Sequence, residues 1–383
     1  MISWLRRLFP TVEISVFSDY YKNNSAFFPG LSSRPLGWKN PDGGRLSKSF
    51  VPFFEITIGF FGLEKFFREF RNFRQCSVFA VCGGGAFYSS ARSFVSRHLI
   101  LVCLQSILAA FRTSCCIVFP QTFGPFHKRI DLFFVRLLLR RCLWVCARSE
   151  KSLNLVLKIE PKTRGSYVPD LVLAARYFLP DLFSDWGFDR DGMGVAPVNP
   201  VFVPGFNNED RFSYLVPLAD LCSRWHQRKG GLIRVFTQVS VPGDNDEVAV
   251  NLLTKCLEAR CVPFEIFAPS ISLEDYLKGI SRCRVFVGCR MHSCIFSLNY
   301  LVPTLALSYQ QKFFDLFDSL ELSRWAKPLN DWSVNWAEQQ LFSADENYDK
   351  YQTFLKAKLE TQKQLILKGL APISAIMSKK GFC

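Results

Sequence analysis

Chemistry in this chain concentrates where the apolar run Val285-Phe286-Val287-Gly288 stops and Cys289-Arg290-Met291-His292 follows. The run reads as a buried strand, and His292–Tyr300 reads as a helix opening straight after it. A helix N-terminus presents backbone N–H groups and the positive end of its dipole to an anion. Arg290 adds a forked guanidinium suited to carboxylate or phosphate. His292, one of four histidines, can take or give a proton near neutral pH. Tyr309 and Lys312 follow the next apolar run, Thr304–Leu307, on the same edge of the sheet. Arg290, His292 and Lys312 converging there describe a site for an anionic substrate that undergoes proton transfer.

Two further junctions carry weaker signals. In Val81-Cys82-Gly83-Gly84-Gly85 three glycines end a strand, so the backbone can approach a ligand or a neighbouring segment closely. The run fits neither GxGxxG nor a P-loop, and a tightly packed turn would use the same residues. Gln121-Thr122-Phe123-Gly124-Pro125 follows the strand Cys115–Phe119. The helical stretch behind it places Arg129, Arg136 and Arg140 on one side, among Phe133, Phe134, Leu137 and Leu138. Such a helix can lie on an anionic membrane, and it can equally be a surface helix with solvated arginines.

The elements that must hold these residues alternate along the chain. Strands are expected at Ile14–Phe17, Ser77–Cys82, Cys115–Phe119, Trp144–Ala147, Met193–Ala196, Ile233–Thr237, Phe264–Phe267, Val285–Gly288 and Thr304–Leu307. Helices are expected at Leu99–Phe111, Arg129–Leu143, Asp246–Ala259, Leu273–Ser281 and His292–Tyr300, with a mostly helical tail over Trp332–Leu367. This alternation implies an α/β protein of two Rossmann-like parallel-sheet domains facing a cleft, with ligands at the carboxyl ends of the strands. The polar stretch Asp181–Asp191 reads as the linker. The expected domains are therefore residues 1–185 and 192–330, with a helical tail over 331–383.

Composition narrows the function. A length of 383 residues suits two domains, and 49% hydrophobic against 21% charged residues excludes a disordered chain. Residues 1–190 hold 26 basic and 13 acidic side chains, and residues 191–383 hold 21 and 20. The first half therefore suits an anionic partner such as a membrane surface. The basic residues follow no nucleic-acid-binding signature, so no nucleic-acid partner is expected. The 14 cysteines contain no CxxC pair, so no metal site is expected, and they read as buried reduced thiols of a cytoplasmic protein. Met1–Pro10 does not read as a secretory leader. His98–Phe119 comes nearest to a membrane span, but Gln105, Arg112, Thr113 and Ser114 interrupt it.

Val287–Ser293, then Val302-Pro303-Thr304-Leu305-Ala306-Leu307-Ser308-Tyr309 and Lys312, resembles the C-terminal signature of the polysaccharide pyruvyl transferases. Four further segments agree in order: Cys82–Phe87, Gln121–Pro125, Arg148-Ser149-Glu150-Lys151-Ser152 and Pro169-Asp170. The resemblance covers roughly Leu5 to Leu322. It implies a glycosyltransferase-B-like fold with the acceptor on the first domain and the donor on the second. The reaction it implies moves the pyruvyl unit of phosphoenolpyruvate onto two sugar hydroxyls as a ketal, in exopolysaccharide or cell-wall polymer biosynthesis. Phosphoenolpyruvate is a co-substrate, and no cofactor is implied. The acceptor is a sugar or lipid-linked oligosaccharide, with peripheral contact to the inner membrane face. By this carry-over His292 is the acid/base, and Arg290 and Lys312 clamp the donor. Gly83, Gly84, Gly85, Gln121, Gly124, Arg148, Asp170, Ser293 and Tyr309 line the site. The chain departs from the family pattern at Ser149, where an acid is usual, and at Met291, where leucine is usual. It also lacks the family's asparagine-x-glycine-aspartate loop, so a first strand-helix unit is expected to be missing. The alternatives are a sugar-nucleotide glycosyltransferase of the same architecture and an inactive glycan-binding remnant.

Overall fold

The computed structural model describes residues 14–18, 32–35, 76–82, 87–89, 96–113, 115–183, 189–200, 211–241, 244–268 and 270–379. Its contacts divide the chain into two units. Unit 1 comprises residues 1–171 and 365–383, and unit 2 comprises residues 172–364. The sequence reading put the divisions near 185–192 and at 330–331 instead. Val172 to Phe178, which span most of the 3-10 turn Leu171–Ala174 and all of the short helix α4 (Ala175–Phe178), side with unit 2, because Arg176 and the Val172 carbonyl are hydrogen-bonded to Asn299. The tail is shared, its larger part packing in unit 2.

In unit 1, strands β1 (Ser15–Ser18) and β2 (Ser32–Pro35) form a parallel pair. A second parallel sheet runs β3 (Val78–Val81), β4 (Cys115–Gln121), β5 (Trp144–Ala147) and β6 (Gly165–Tyr167) in that order. All of β4 is buried, in keeping with the apolar run Cys115–Pro120 that precedes Gln121. Helices α1 (Arg97–Arg112), α2 (Arg129–Leu139) and α3 (Glu150–Ile159) cover the sheet through Leu99, Cys103, Ile107, Val135, Leu138 and Val156. Helix α2 stops four residues short of the expected Leu143, and β4 runs two residues further than expected, to include Gln121.

Unit 2 is built around one six-stranded parallel sheet. Its strands are β7 (Asp191–Ala196), β8 (Ile233–Phe236), β11 (Phe264–Phe267), β12 (Cys283–Gly288), β13 (Thr304–Ser308) and β14 (Ala326–Pro328). They lie in the order β11-β8-β7-β12-β13-β14. The chain starts in the middle, winds to one edge, then returns and winds to the other. That is the doubly wound order of dinucleotide-binding folds, whose ligands sit where the winding reverses, here between β7 and β12. A small antiparallel ladder, β9 (Ser240–Val241) with β10 (Asp244–Asn245), interrupts the crossover after β8.

Both faces of the sheet are buried. Val195, Val235, Val285 and Val287 face a cluster with helices α5 (Leu215–Lys229), α6 (Glu247–Glu258) and α8 (Met291–Asn299). Their neighbours Ala196, Phe236 and Phe286 face the opposite cluster with α7 (Leu273–Ser281). This alternation at Val195/Ala196, Val235/Phe236 and Val285/Phe286/Val287 is the two-residue period of a strand covered on both sides. Helices α9 (Gln311–Ser319), α10 (Val334–Glu346) and α11 (Tyr348–Lys379) complete the chain. All thirteen described cysteines are free, eight of them buried. Among the described residues no helix is long and apolar enough to cross a membrane.

Candidate active site

Four strands of unit 2 deliver polar residues to one edge of the sheet. Strand β12 ends at Gly288, and the Cys289 N–H donates to the Ala196 carbonyl at the end of β7, 2.9 Å away. Beyond β7 lie Val198 and Asn199. Beyond β8, the β9–β10 ladder leads to Asp246 at the head of α6. Beyond β13 comes Tyr309. Gly288 lets α8 fold straight back onto β12, because a Cβ there would stand 2.4 Å from Cys294 Sγ. Arg290 is the N-cap residue of α8, in extended conformation, and no side chain caps that helix. The first amides of a helix find no acceptor within the helix itself, which suits such a terminus to an anion.

The Arg290 guanidinium is held by two carboxylates. Nε and Nη2 donate to Asp246, at 2.9 Å to Oδ2 and 2.7 Å to Oδ1. Nη2 and Nη1 donate to Asp244, at 2.5 and 3.3 Å. Nη1 also donates to the Tyr309 hydroxyl at 3.1 Å. All five N–H groups of the fork are thereby used. Asp246 is fully buried and also accepts from the Asn199 and Val239 amides, at 3.0 and 3.1 Å. Burial works against the charge on Arg290, but Asp246 and Asp244 outweigh it and raise its pKa above the ordinary arginine value. Burial pushes the Asp246 carboxyl up, with Arg290 and the Asn199 amide pulling the other way. Removing one partner from such a buried pair costs about 3–5 kcal/mol.

The other sequence-derived residues of unit 2 take definite places. The Ser293 hydroxyl is buried and donates to the Arg290 carbonyl at 2.7 Å. His292 is half-buried in the first turn of α8, its ring 6.4 Å from that of Phe296. Lys312 is half-buried in the first turn of α9, three residues beyond Tyr309. Burial raises the Tyr309 phenol, so it stays a neutral hydroxyl. Burial also holds the Cys289 thiol far above its ordinary pKa, so Cys289 is no thiolate nucleophile.

Unit 1 gathers its own residues at the carboxyl ends of its strands. Arg148 donates its backbone N–H to the Gln121 carbonyl at 2.9 Å, and its guanidinium lies 3.1 Å from Asp170. The Gln121 side chain is fully buried. Gly124 has φ +85, and its N–H donates to the Phe87 carbonyl at 2.8 Å. Ser152 of the Arg148–Ser152 element accepts from the Phe123 N–H at 3.0 Å. Ser149, which replaces the usual acid, caps α3 by accepting from the Ser152 N–H. Gly83, Gly84 and Gly85 lie outside the described residues.

Asp244, Asp246 and Asn199 escaped the sequence reading. Asp244-Asn245-Asp246 before an apolar helix reads as turn chemistry and a helix cap. The usable signal was two acids at i and i+2 in the connection that follows β8, a strand of the sheet that carries Arg290.

Two parallel-sheet α/β units with polar residues at their strand ends define the glycosyltransferase-B fold, and the solved structures similar to this chain agree. One is a UDP-GlcNAc 2-epimerase from Neisseria meningitidis, with TM-score 0.55, 10% identity and 96% of each chain covered. Another is the glycotransferase of kitacinnamycin, with TM-score 0.52, 9% identity, and 99% of this chain and 94% of that one covered. At these identities they speak for the fold alone. No curated protein matches the sequence. The family is set by the sequence itself: residues 1–311 match the polysaccharide pyruvyl transferase model, and the chain belongs to that family. It is a transferase of glycosyltransferase-B architecture.

Proposed function

We propose that the chain transfers the pyruvyl unit of phosphoenolpyruvate onto two hydroxyls of a sugar, forming a cyclic ketal and releasing phosphate. The observation that carries this reading is the family signature standing at the winding reversal of unit 2, with His292 and Arg290 at the head of α8. The donor brings a phosphate and a carboxylate. The uncapped first turn of α8, with Lys312, suits the phosphate. The two Nη groups of Arg290 suit the carboxylate.

The chemistry begins when His292 delivers a proton to the donor's methylene carbon. The neighbouring carbon becomes electron-poor and takes a sugar hydroxyl. The bond from that carbon to the phosphate oxygen breaks, and the second hydroxyl closes the ketal. Of the two hydroxyl protons, one replaces that spent by His292 and the other leaves on phosphate. A positioned acid of this kind contributes about 10²–10⁴-fold. Unit 1 is the acceptor side, with Gln121, Arg148 and Asp170 at its strand ends. The acceptor is a sugar or a lipid-linked oligosaccharide.

The lipid-linked case, with the chain peripheral to the inner face of the membrane, draws support from α2. Phe133 and Ile130 are 57% and 43% exposed, beside the exposed Arg129. Arg136 and Arg140 each direct Nε to the end of α3, at the Ile159 carbonyl and Glu160.

The test is phosphate release from phosphoenolpyruvate in the presence of galactoside or mannosamine acceptors, with mass spectrometry for the carboxyethylidene product. Acceptor-dependent release is expected. Acceptor-dependent release of the nucleotide from a nucleotide sugar instead would move the chain to the glycosyltransferases. Binding of glycan without turnover of either donor would make it a glycan-binding remnant.

A further inference from the structure

Arg290 as it stands cannot hold a donor, because every N–H of its fork is engaged. An incoming anion also meets one positive and two negative groups. The two carboxylates are held very differently. Asp246 is fully buried, takes the Nε side of the fork and is fixed by two further backbone amides. Asp244 has a side chain 28% exposed, and the hydrogen bonds described for that side chain all come from Arg290. It takes the Nη1 and Nη2 end of the fork, the geometry in which a free carboxylate ligand binds an arginine in a bidentate way.

We propose that the two carboxylates do different work: Asp246 is a permanent positioning residue for Arg290, and Asp244 fills the seat of the donor's carboxylate and yields it when the donor binds. The inference rests on Arg290 serving an anionic donor, as argued above. Asp246 keeps the fork aimed in both states. Asp244 keeps the guanidinium neutralised and ordered while the site is empty, and competes with the donor for the same two N–H groups. A like charge remaining beside the bound carboxylate would be repulsive, so Asp244 must leave.

The two substitutions should therefore act with opposite sign. Asp244→Asn keeps the shape of the side chain and removes its charge. Calorimetric titration of phosphoenolpyruvate into the full chain should show binding tightened about three- to thirtyfold. Asp246→Asn should weaken it about tenfold or more, since the fork loses its fixed anchor. Donor KM should move in the same directions, whereas a merely structural defect would lower the active fraction and leave KM alone. Weakened or unchanged binding in Asp244→Asn overturns the proposal, because Asp244 would then be a second anchor or a bystander. Should Asp246→Asn fail to fold, Asp244→Asn and Asp244→Ser decide alone, their side chain being partly exposed. If the unsubstituted chain binds nucleotide sugars and no phosphoenolpyruvate, the donor reading falls and this inference with it. If it binds phosphoenolpyruvate and only the sign at Asp244 is wrong, this inference alone falls.

Discussion

His292 and Arg290 stand two residues apart on one helical turn, yet they answer to different tests. A group that transfers a proton in the transition state governs rate, and a group that holds the ground state governs binding. His292→Gln keeps a hydrogen-bonding side chain and abolishes proton transfer. Turnover is expected to fall by about 10²-fold or more, with donor affinity changed little, as single-turnover kinetics beside calorimetry would report. A rate near that of the parent would make His292 a positioning group. Both residues were legible as candidates in the sequence, because an arginine and a histidine together at a strand-to-helix joint suggest anion binding and proton transfer. Asp246 was not legible, because a carboxylate just before a helix reads in sequence as a cap, and only the fold brings it to Arg290 instead.

The elements explain why the site is where it is. Strand β12 could be read from Val285-Phe286-Val287, since a strand covered on both faces shows as an unbroken apolar run. The β9–β10 ladder could not, because two-residue strands leave no periodicity. The joint between β12 and α8 depends on Gly288. Gly288→Ala would drive a methyl group into the buried Cys294 sulfur. A loss of about 1–3 kcal/mol is expected, and Cys294→Ala in the same chain should restore part of it in urea denaturation.

A second joint ties α10 to the sheet. Asp345 accepts from Arg284 of β12 at 2.5 Å and lies 2.7 Å from Lys229 of α5. Burial raises its carboxyl, but Lys229 and Arg284 overcome this and hold it below the ordinary aspartate range. A depressed carboxylate stabilises the fold above its unfolded pKa and loses that contribution as pH falls through the folded value. Asp345→Asn should thus cost about 1–2 kcal/mol at pH 7. Its stability and that of the parent should converge as the pH falls below the ordinary aspartate range.

For the whole molecule, charge and topology divide the labour. The excess of positive charge lies in residues 1–190, and the doubly wound sheet with Arg290 lies in unit 2. The fold class was legible because the strand-helix alternation persists through the chain. The division between units was not, because Val172–Phe178 packs by contacts that no local pattern records. If α2 faces lipid, Phe133→Ser with Arg129→Gln should reduce co-sedimentation with anionic liposomes, and salt should weaken the parent's binding as well. Equal sedimentation of variant and parent would make α2 an ordinary solvated helix.

The free thiols have a consequence for the life of the molecule. Among the described residues only Cys261 is exposed, and burial lifts Cys146, Cys222 and Cys283 to about 12. Folded, these sulfurs are poor targets for oxidants, since the thiolate is the reactive form. Unfolded, the chain presents all 14 to air and to one another. Each excursion out of the native state then carries a chance of scrambled cross-links that prevent return. Heating without reductant becomes a one-way process, whereas heating with reductant removes that route. The native packing of this protein is thus also its antioxidant.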